Sequence, residues 1–326
     1  MEQAAGKQII NAPAEAPPPE ITAALYKQFI AFIDASPETI RTYTGHLWQF
    51  IRYLAQNNIT KPTRETIINY REELKTRCKA TTVQNYIEAV KLFFDWTAQA
   101  GLYPNIAAHI KGARISREFK KDYLTSSQAA AVLENIDRST AQGLRDYAII
   151  ALIITGGLRV IEAHRANIED ISSAGGAPVL YIQGKGREDR AEYIKIPREV
   201  ENALRAYLNS RDGPELQQPL FVSCSHNSQG RRLSKRSISG IIKQRLKNAG
   251  YESERLTAHS LRHSAVTIAL LQGNSLQEAQ QFARHKSITT TQIYAHNLDR
   301  AKNKCEETIA GSIFRAAERT GDKWKS

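Results

Sequence analysis

Apolar residues recur at helical spacing through almost all of this 326-residue chain, and the period shortens to that of a strand in one stretch only. That pattern commits the chain to a mainly α fold with a small β hairpin or sheet. From about 20 to 112 every periodic segment reads as helix. Ser36-Pro37 is a start signal, since serine caps the first turn and proline tolerates its first position. Ile40, Tyr43, Leu47, Phe50, Ile51 and Leu54 then form one apolar face. A second helix is expected after Thr63, carrying Ile67, Tyr70 and Leu74. A third runs from about Thr81 to Ala100, with Val83, Ile87, Val90 and Phe94 on one side and Gly101 as its stop. Residues 20–112 thus read as a helical domain of four or five helices, preceded by a proline-rich tail over 1–19.

Residues 113–122 form a basic connector, and Thr125 caps the first helix of a second domain, expected over 123–314. Its longest apolar run, Ala148 to Ile154, reads as a buried core helix. Val179 to Ile182 and Glu192 to Ile196 are β-prone runs flanking a polar turn with two glycines, which is a hairpin by composition. Pro197 opens a helix through about Asn209, and 234–249 is a strongly basic helix ended by Gly250. Residues 315–326 are a polar tail.

Lysine and arginine outnumber aspartate and glutamate 45 to 33, a net charge of +12. Such an excess suits a polyanionic partner, because each neutralised phosphate releases condensed counterions. Cys78, Cys224 and Cys305 are far apart and form no disulfide or zinc pattern. No apolar run approaches the ~20 residues that span a bilayer. A soluble, cytoplasmic protein with no membrane partner is the expectation.

Three segments concentrate chemistry: Thr155-Gly156-Gly157-Leu158-Arg159-Val160-Ile161-Glu162, His259-Ser260-Leu261-Arg262-His263, and His285 to Tyr294. His259 and Arg262, three apart on a helix, share a face and can pair a phosphate clamp with a proton carrier. The spacing of His259 and His263 would suit zinc, but position 260 is Ser where a metalloprotease needs Glu, and no third ligand is near. His263 precedes apolar turns and reads as a packing histidine. Arg159 and Glu162 read, in isolation, as a surface ion pair of little worth. Lys185 sits between two glycines at the hairpin tip; unlike an arginine, it can give up a proton. Tyr294 lies among polar residues, and a phenol of pKa near ~10 needs activation to attack. Two nearby guanidiniums favour the phenolate.

Taken in this order, Gly157 to Glu162, Gly184-Lys185-Gly186, His259 to His263 and His285 to Tyr294 resemble the tyrosine recombinase (integrase) family, in the style of its bacterial Xer-like members. The resemblance spans the chain from about residue 20. It implies a two-domain, C-shaped DNA clamp that cuts and rejoins DNA through a 3′-phosphotyrosine, with no metal or organic cofactor. It makes Tyr294 the nucleophile, Arg159 and Arg262 the phosphate clamp, Lys185 the acid for the leaving 5′-oxygen, His259 the carrier of the tyrosine proton, His285 a phosphate support, and Glu162 the carboxylate behind Arg159. The implied partner is a duplex recombination site with inverted repeats, bound by a dimer per site and a tetramer in the synapse, with an accessory or partner recombinase in some members. The resemblance also implies that protomers exchange a C-terminal helix, for which Ile309, Ile313 and Phe314 offer an apolar anchor; the alternative is a helix packed on its own domain.

Two departures stand out. Ala283-Arg284 replaces the usual Leu-Gly before His285, a change that can add a DNA contact at Arg284, and Ala258 replaces a common proline. Further DNA contacts are expected at Arg236 and Lys243 on the basic helix, and at Arg41, Thr82, Gln84 and Asn85 in the first domain. Mobile-element integration or excision and chromosome or plasmid dimer resolution both fit. A type IB topoisomerase-like nicking-closing enzyme and a non-catalytic DNA-binding relative are the alternatives.

Overall fold

The computed structural model describes residues 20–21, 23–114, 122–183, 192–302 and 307–313. The chain divides into two compact units, residues 1–117 and 118–326.

The first unit is built from α1 (Ala23–Phe32), α2 (Pro37–Gln56), α3 (Arg64–Arg77) and α4 (Ala80–Gln99). Ser36 and Thr63 cap α2 and α3 with their side-chain oxygens, as the start signals predict. Gly101, with φ 66°, turns the chain just beyond α4. The expected faces of α2, α3 and α4 converge on one core of Phe29, Leu47, Phe50, Ile67, Tyr70, Ile87 and Phe93. Phe50 meets Tyr70 edge-on at 5.1 Å, and Phe29 meets Phe93 edge-on at 5.3 Å, the geometry that ring quadrupoles favour. The loop after α4 is held down by the Tyr103 hydroxyl, which donates to the Pro62 carbonyl at 2.7 Å.

The second unit is organised around α6. Its helices are α5 (Ser126–Glu134), α6 (Ala141–Gly156), α7 (Val160–Arg165), α8 (Arg198–Asn209), α9 (Lys235–Asn248), α10 (Ala258–Leu271), α11 (Leu276–Ala283) and α12 (Ile288–Lys302); residues 307–313 are also helical. Ala148 to Ile154 are all buried, so this stretch of α6 is apolar all round and covered on every side. The strands are β1 (Ile171–Ala174), β2 (Ala177–Ile182) and β3 (Glu192–Lys195), antiparallel in the order β1-β2-β3.

The expected hairpin is β2 with β3, and Leu180 faces Ile194 in it. The sheet carries one strand beyond the two β-prone runs read from the sequence. β1 joins β2 through Gly175-Gly176, both at positive φ (59° and 80°), the conformation of a tight two-residue hairpin loop. Ile171-Ser172-Ser173-Ala174 has no alternating apolar pattern, which is why periodicity passes over it.

An ion triad centred on buried Asp146 ties α6 to α9. Asp146 accepts two hydrogen bonds from Arg145 on Oδ1 (2.9 and 2.7 Å) and two from Arg245 on Oδ2 (2.9 and 2.7 Å). Arg245, a member of the basic helix by sequence, is therefore committed inward.

Candidate active site

Gly156 and Gly157 end α6 where the helix meets two neighbours. A β-carbon on Gly156 would lie 2.4 Å from Ile194 Cδ1, and one on Gly157 would lie 2.9 Å from the Phe282 ring. Gly157 is also left-handed, φ 57° and ψ 34°, a conformation that suits glycine. The turn delivers Arg159 to the start of α7. Glu162 holds Arg159 twice: Oε2 accepts from its backbone N–H and Oε1 from Nη1, both at 2.8 Å. The Glu162 side chain is fully buried while that of Arg159 remains 31% exposed. Burial pushes the Glu162 carboxyl up, but Arg284, Arg159 and the backbone bond outweigh it and hold the group below its ordinary range.

Arg262, on α10, is buried. Its Nη1 donates to the Gly157 carbonyl and its Nη2 to the Ala283 carbonyl. Those carbonyls close α6 and α11, so the guanidinium sits where two helices end in unsatisfied acceptors and negative dipole. Burial, with the charges of Arg159 and Arg284, lowers its pKa to about 10.

Arg284 caps α11 in the left-handed region, φ 52° and ψ 46°, which costs a residue with a β-carbon about 1–2 kcal/mol. It does not project toward solvent as the expected DNA contact would. Its side chain is 7% exposed and pairs with Glu162 at 3.1 Å. The reason is local: the carbonyls of Gly156, Gly157 and Phe282 and the Glu162 carboxylate together form an acceptor nest for one more guanidinium.

His285 follows directly. Its backbone N–H donates to the Gln280 carbonyl at 3.1 Å, and Nδ1 shares a 2.9 Å hydrogen bond with the Thr291 hydroxyl. The arginine in place of glycine therefore leaves the turn into His285 closed. Burial, then Arg262, Arg159 and Arg284, push its pKa down to about 4, so the ring is neutral at physiological pH.

Tyr294, on α12, is 5% exposed. Its hydroxyl shares a hydrogen bond with Nδ1 of His263, and its ring lies 20° from parallel to that of His285 at 6.2 Å. Arg262 and Arg159 pull its pKa down, but burial prevails and the phenol is pushed up to about 12. The expected phenolate is thus not the resting state, because desolvation of an anion outweighs two cations here.

His263, read by sequence as a packing histidine, is the residue that meets the phenol. His259 is exposed, and its ring packs edge-on against that of His263 at 4.3 Å. The spacing of four that would suit zinc instead stacks two imidazoles one turn apart. That spacing was the available signal.

The fold thus assembles Arg159, Glu162, Arg262, His285 and Tyr294, with His263 hydrogen-bonded to the phenol and packed against His259. Lys185 lies outside the described residues, between β2 and β3. The expected DNA contacts divide. Arg41, Asn85 and Arg236 are exposed and Thr82 is half-buried. Gln84 donates to Glu88 at 2.8 Å, and Lys243 donates to the carbonyls of Ser253 (2.6 Å) and Leu256 (3.2 Å), so both are engaged within the protein.

Residues 122–301 match the phage integrase family, and residues 25–101 match the phage integrase N-terminal SAM-like domain. The chain belongs to the phage integrase family and is a tyrosine recombinase. A tyrosine recombinase XerC of Chlamydia muridarum is 30% identical over 298 residues, spanning 82% of this chain and 92% of that one. A XerC of Thermodesulfovibrio yellowstonii is 30% identical over 273 residues, spanning 80% and 86%. The fold is shared with XerH site-specific recombinase in a post-cleavage complex with palindromic difH substrate (TM-score 0.67, 23% identity, 87% of this chain and 84% of that one). It is also shared with a lambda integrase dimer bound to a COC′ core site (TM-score 0.64, 17% identity, 82% and 96%).

Proposed function

We propose that this recombinase binds a duplex DNA site and exchanges strands through Tyr294. The phenol oxygen attacks the scissile phosphorus, and the bond to the 5′-oxygen breaks. The phosphate remains on the tyrosine through a 3′-phosphotyrosyl bond. The observation that carries the reading is a single phenol, bonded to an imidazole, in the field of two guanidiniums that both pull toward its ionised form.

Arg159 and Arg262 neutralise the non-bridging oxygens as charge builds on phosphorus. His263 takes the phenol proton and His259 passes it to solvent. His285, neutral, supports the phosphate by hydrogen bonding. Lys185 protonates the leaving 5′-oxygen. Phosphodiester and phosphotyrosyl bonds are exchanged one for one, so the reaction reverses by attack of a 5′-hydroxyl.

Arg41, Asn85 and Arg236 contact the duplex. Assembly of protomers uses the helix over 307–313, with exposed Ile309 and Ile313. Its receptor is an apolar groove lined by Ala129, Leu133, Ile154, Ala265, Ile268 and Phe282. A nicked DNA site that loses its short 5′-hydroxyl strand on cleavage tests the reaction. The wild type traps a covalent complex and Tyr294→Phe traps none; trapping by Tyr294→Phe refutes the assignment.

A further inference from the structure

Arg284 makes four hydrogen bonds through its guanidinium. Nη1 donates to the carbonyls of Gly156 (3.2 Å) and Phe282 (2.8 Å). Nη2 donates to the Gly157 carbonyl (2.9 Å) and to Glu162 Oε2 (3.1 Å). Its Nε is buried and has no hydrogen-bond partner among the described residues. A strained backbone and an unsatisfied buried donor are both tolerated at this one residue, a combination that clusters where geometry matters for function.

Three of these contacts bear on Arg159. The Gly156-Gly157 turn leads into it. Glu162 clamps its backbone and its guanidinium. The Arg284 carbonyl itself accepts from Arg159 Nη2 at 3.4 Å. The charge balance follows the same route. One carboxylate serves two guanidiniums, so Arg159 is less neutralised than it would be in a private pair. Arg284 is 7% exposed, whereas Arg159 keeps 31% of its side chain open.

We propose that Arg284 is a positioning residue for DNA cleavage: it fixes the Gly156-Gly157 turn and shares Glu162, so that Arg159 is aimed and left cationic toward the phosphodiester, while Arg284 itself does not touch DNA. This rests on the reading of Arg159 as a phosphate clamp.

The test compares wild type with Arg284→Met, Arg284→Lys and Arg284→Gly, alone and in a Glu162→Gln background. Covalent-complex formation is timed on nicked DNA at saturating protein, and DNA affinity is measured across salt concentrations. Arg284→Met lowers the cleavage rate about 10- to 100-fold, as expected of a misplaced group. Affinity changes by less than about twofold and the salt slope is unaltered. Arg284→Lys regains part of the rate, and in Glu162→Gln the Arg284→Met defect shrinks. Arg284→Gly relieves the left-handed backbone, so it provides a folded variant if methionine disrupts the turn, and it shows the same cleavage defect.

Wild-type cleavage by Arg284→Gly and Arg284→Met overturns the proposal. So does lost affinity with a shallower salt slope, which marks a direct DNA contact. So does a defect of equal size with and without Glu162, or one that lysine does not relieve. Absence of covalent complex from the wild type itself refutes the proposed cleavage chemistry of the site instead, which separates the two failures.

Discussion

The Tyr294 hydroxyl and Nδ1 of His263 share a hydrogen bond inside the second unit, and the His263 ring packs edge-on at 4.3 Å against that of exposed His259. The phenol, with its pKa pushed up to about 12, is therefore neutral at rest, with His263 between it and exposed His259.

If the imidazoles act as one relay, their defects do not add. His263→Leu lowers single-turnover cleavage about 10²- to 10⁴-fold, the range for loss of a positioned proton carrier. His259→Ala, which leaves the Tyr294 contact in place, has a smaller effect. The double variant is no slower than His263→Leu alone. Rate losses that multiply would show two independent roles.

The two arginines proposed to clamp the phosphate differ in what their removal does to the fold. Arg159→Ala leaves Glu162 paired with Arg284, so it abolishes most cleavage, about 10²-fold or more, with little change in melting temperature. Arg262→Ala removes a buried guanidinium from two helix-end carbonyls and lowers both cleavage and stability. Thermal melting beside single-turnover cleavage separates them. Equal loss of stability in both would contradict the exposure difference.

His285 has its pKa pushed down to about 4 by burial first, then by Arg262, Arg159 and Arg284. In the unfolded chain its pKa is about 6.5. Between those values the unfolded state binds the extra proton, so stability rises with pH. The contribution is fully present above about 6.5 and is lost as pH falls toward 4. Urea unfolding of wild type and His285→Gln between pH 4 and 7 should show a shallower pH dependence in the variant.

Asp146 accepts from both Arg145 and Arg245; Asp146 and Arg145 are buried and Arg245 is half-buried. Asp146→Ala leaves two guanidiniums facing each other without their counter-charge. The expected loss is about 3–5 kcal/mol of unfolding free energy, measured by denaturant titration. A loss below about 1 kcal/mol would mean that water replaces the carboxylate.

By itself the sequence determined where α2 to α5 lie, because apolar spacing, the Ser36, Thr63 and Thr125 caps and the Gly101 stop are local signals whose physics needs no partner. It also singled out Arg159, Glu162, Arg262, His285 and Tyr294, since their order and spacing along the chain carry the resemblance. Strand β1 stayed hidden, for its residues show no alternation and only β2 explains them. Tertiary structure alone decided where long polar side chains turn. Arg284, Arg245 and Lys243 could each have faced DNA. They turn inward because unsatisfied helix-end carbonyls, Asp146 and loop carbonyls wait there, and burial makes those acceptors costly to leave empty. The same dependence raised His263 from packing residue to the partner of Tyr294: the contact joins α10 to α12, 31 residues apart, and no local pattern encodes it.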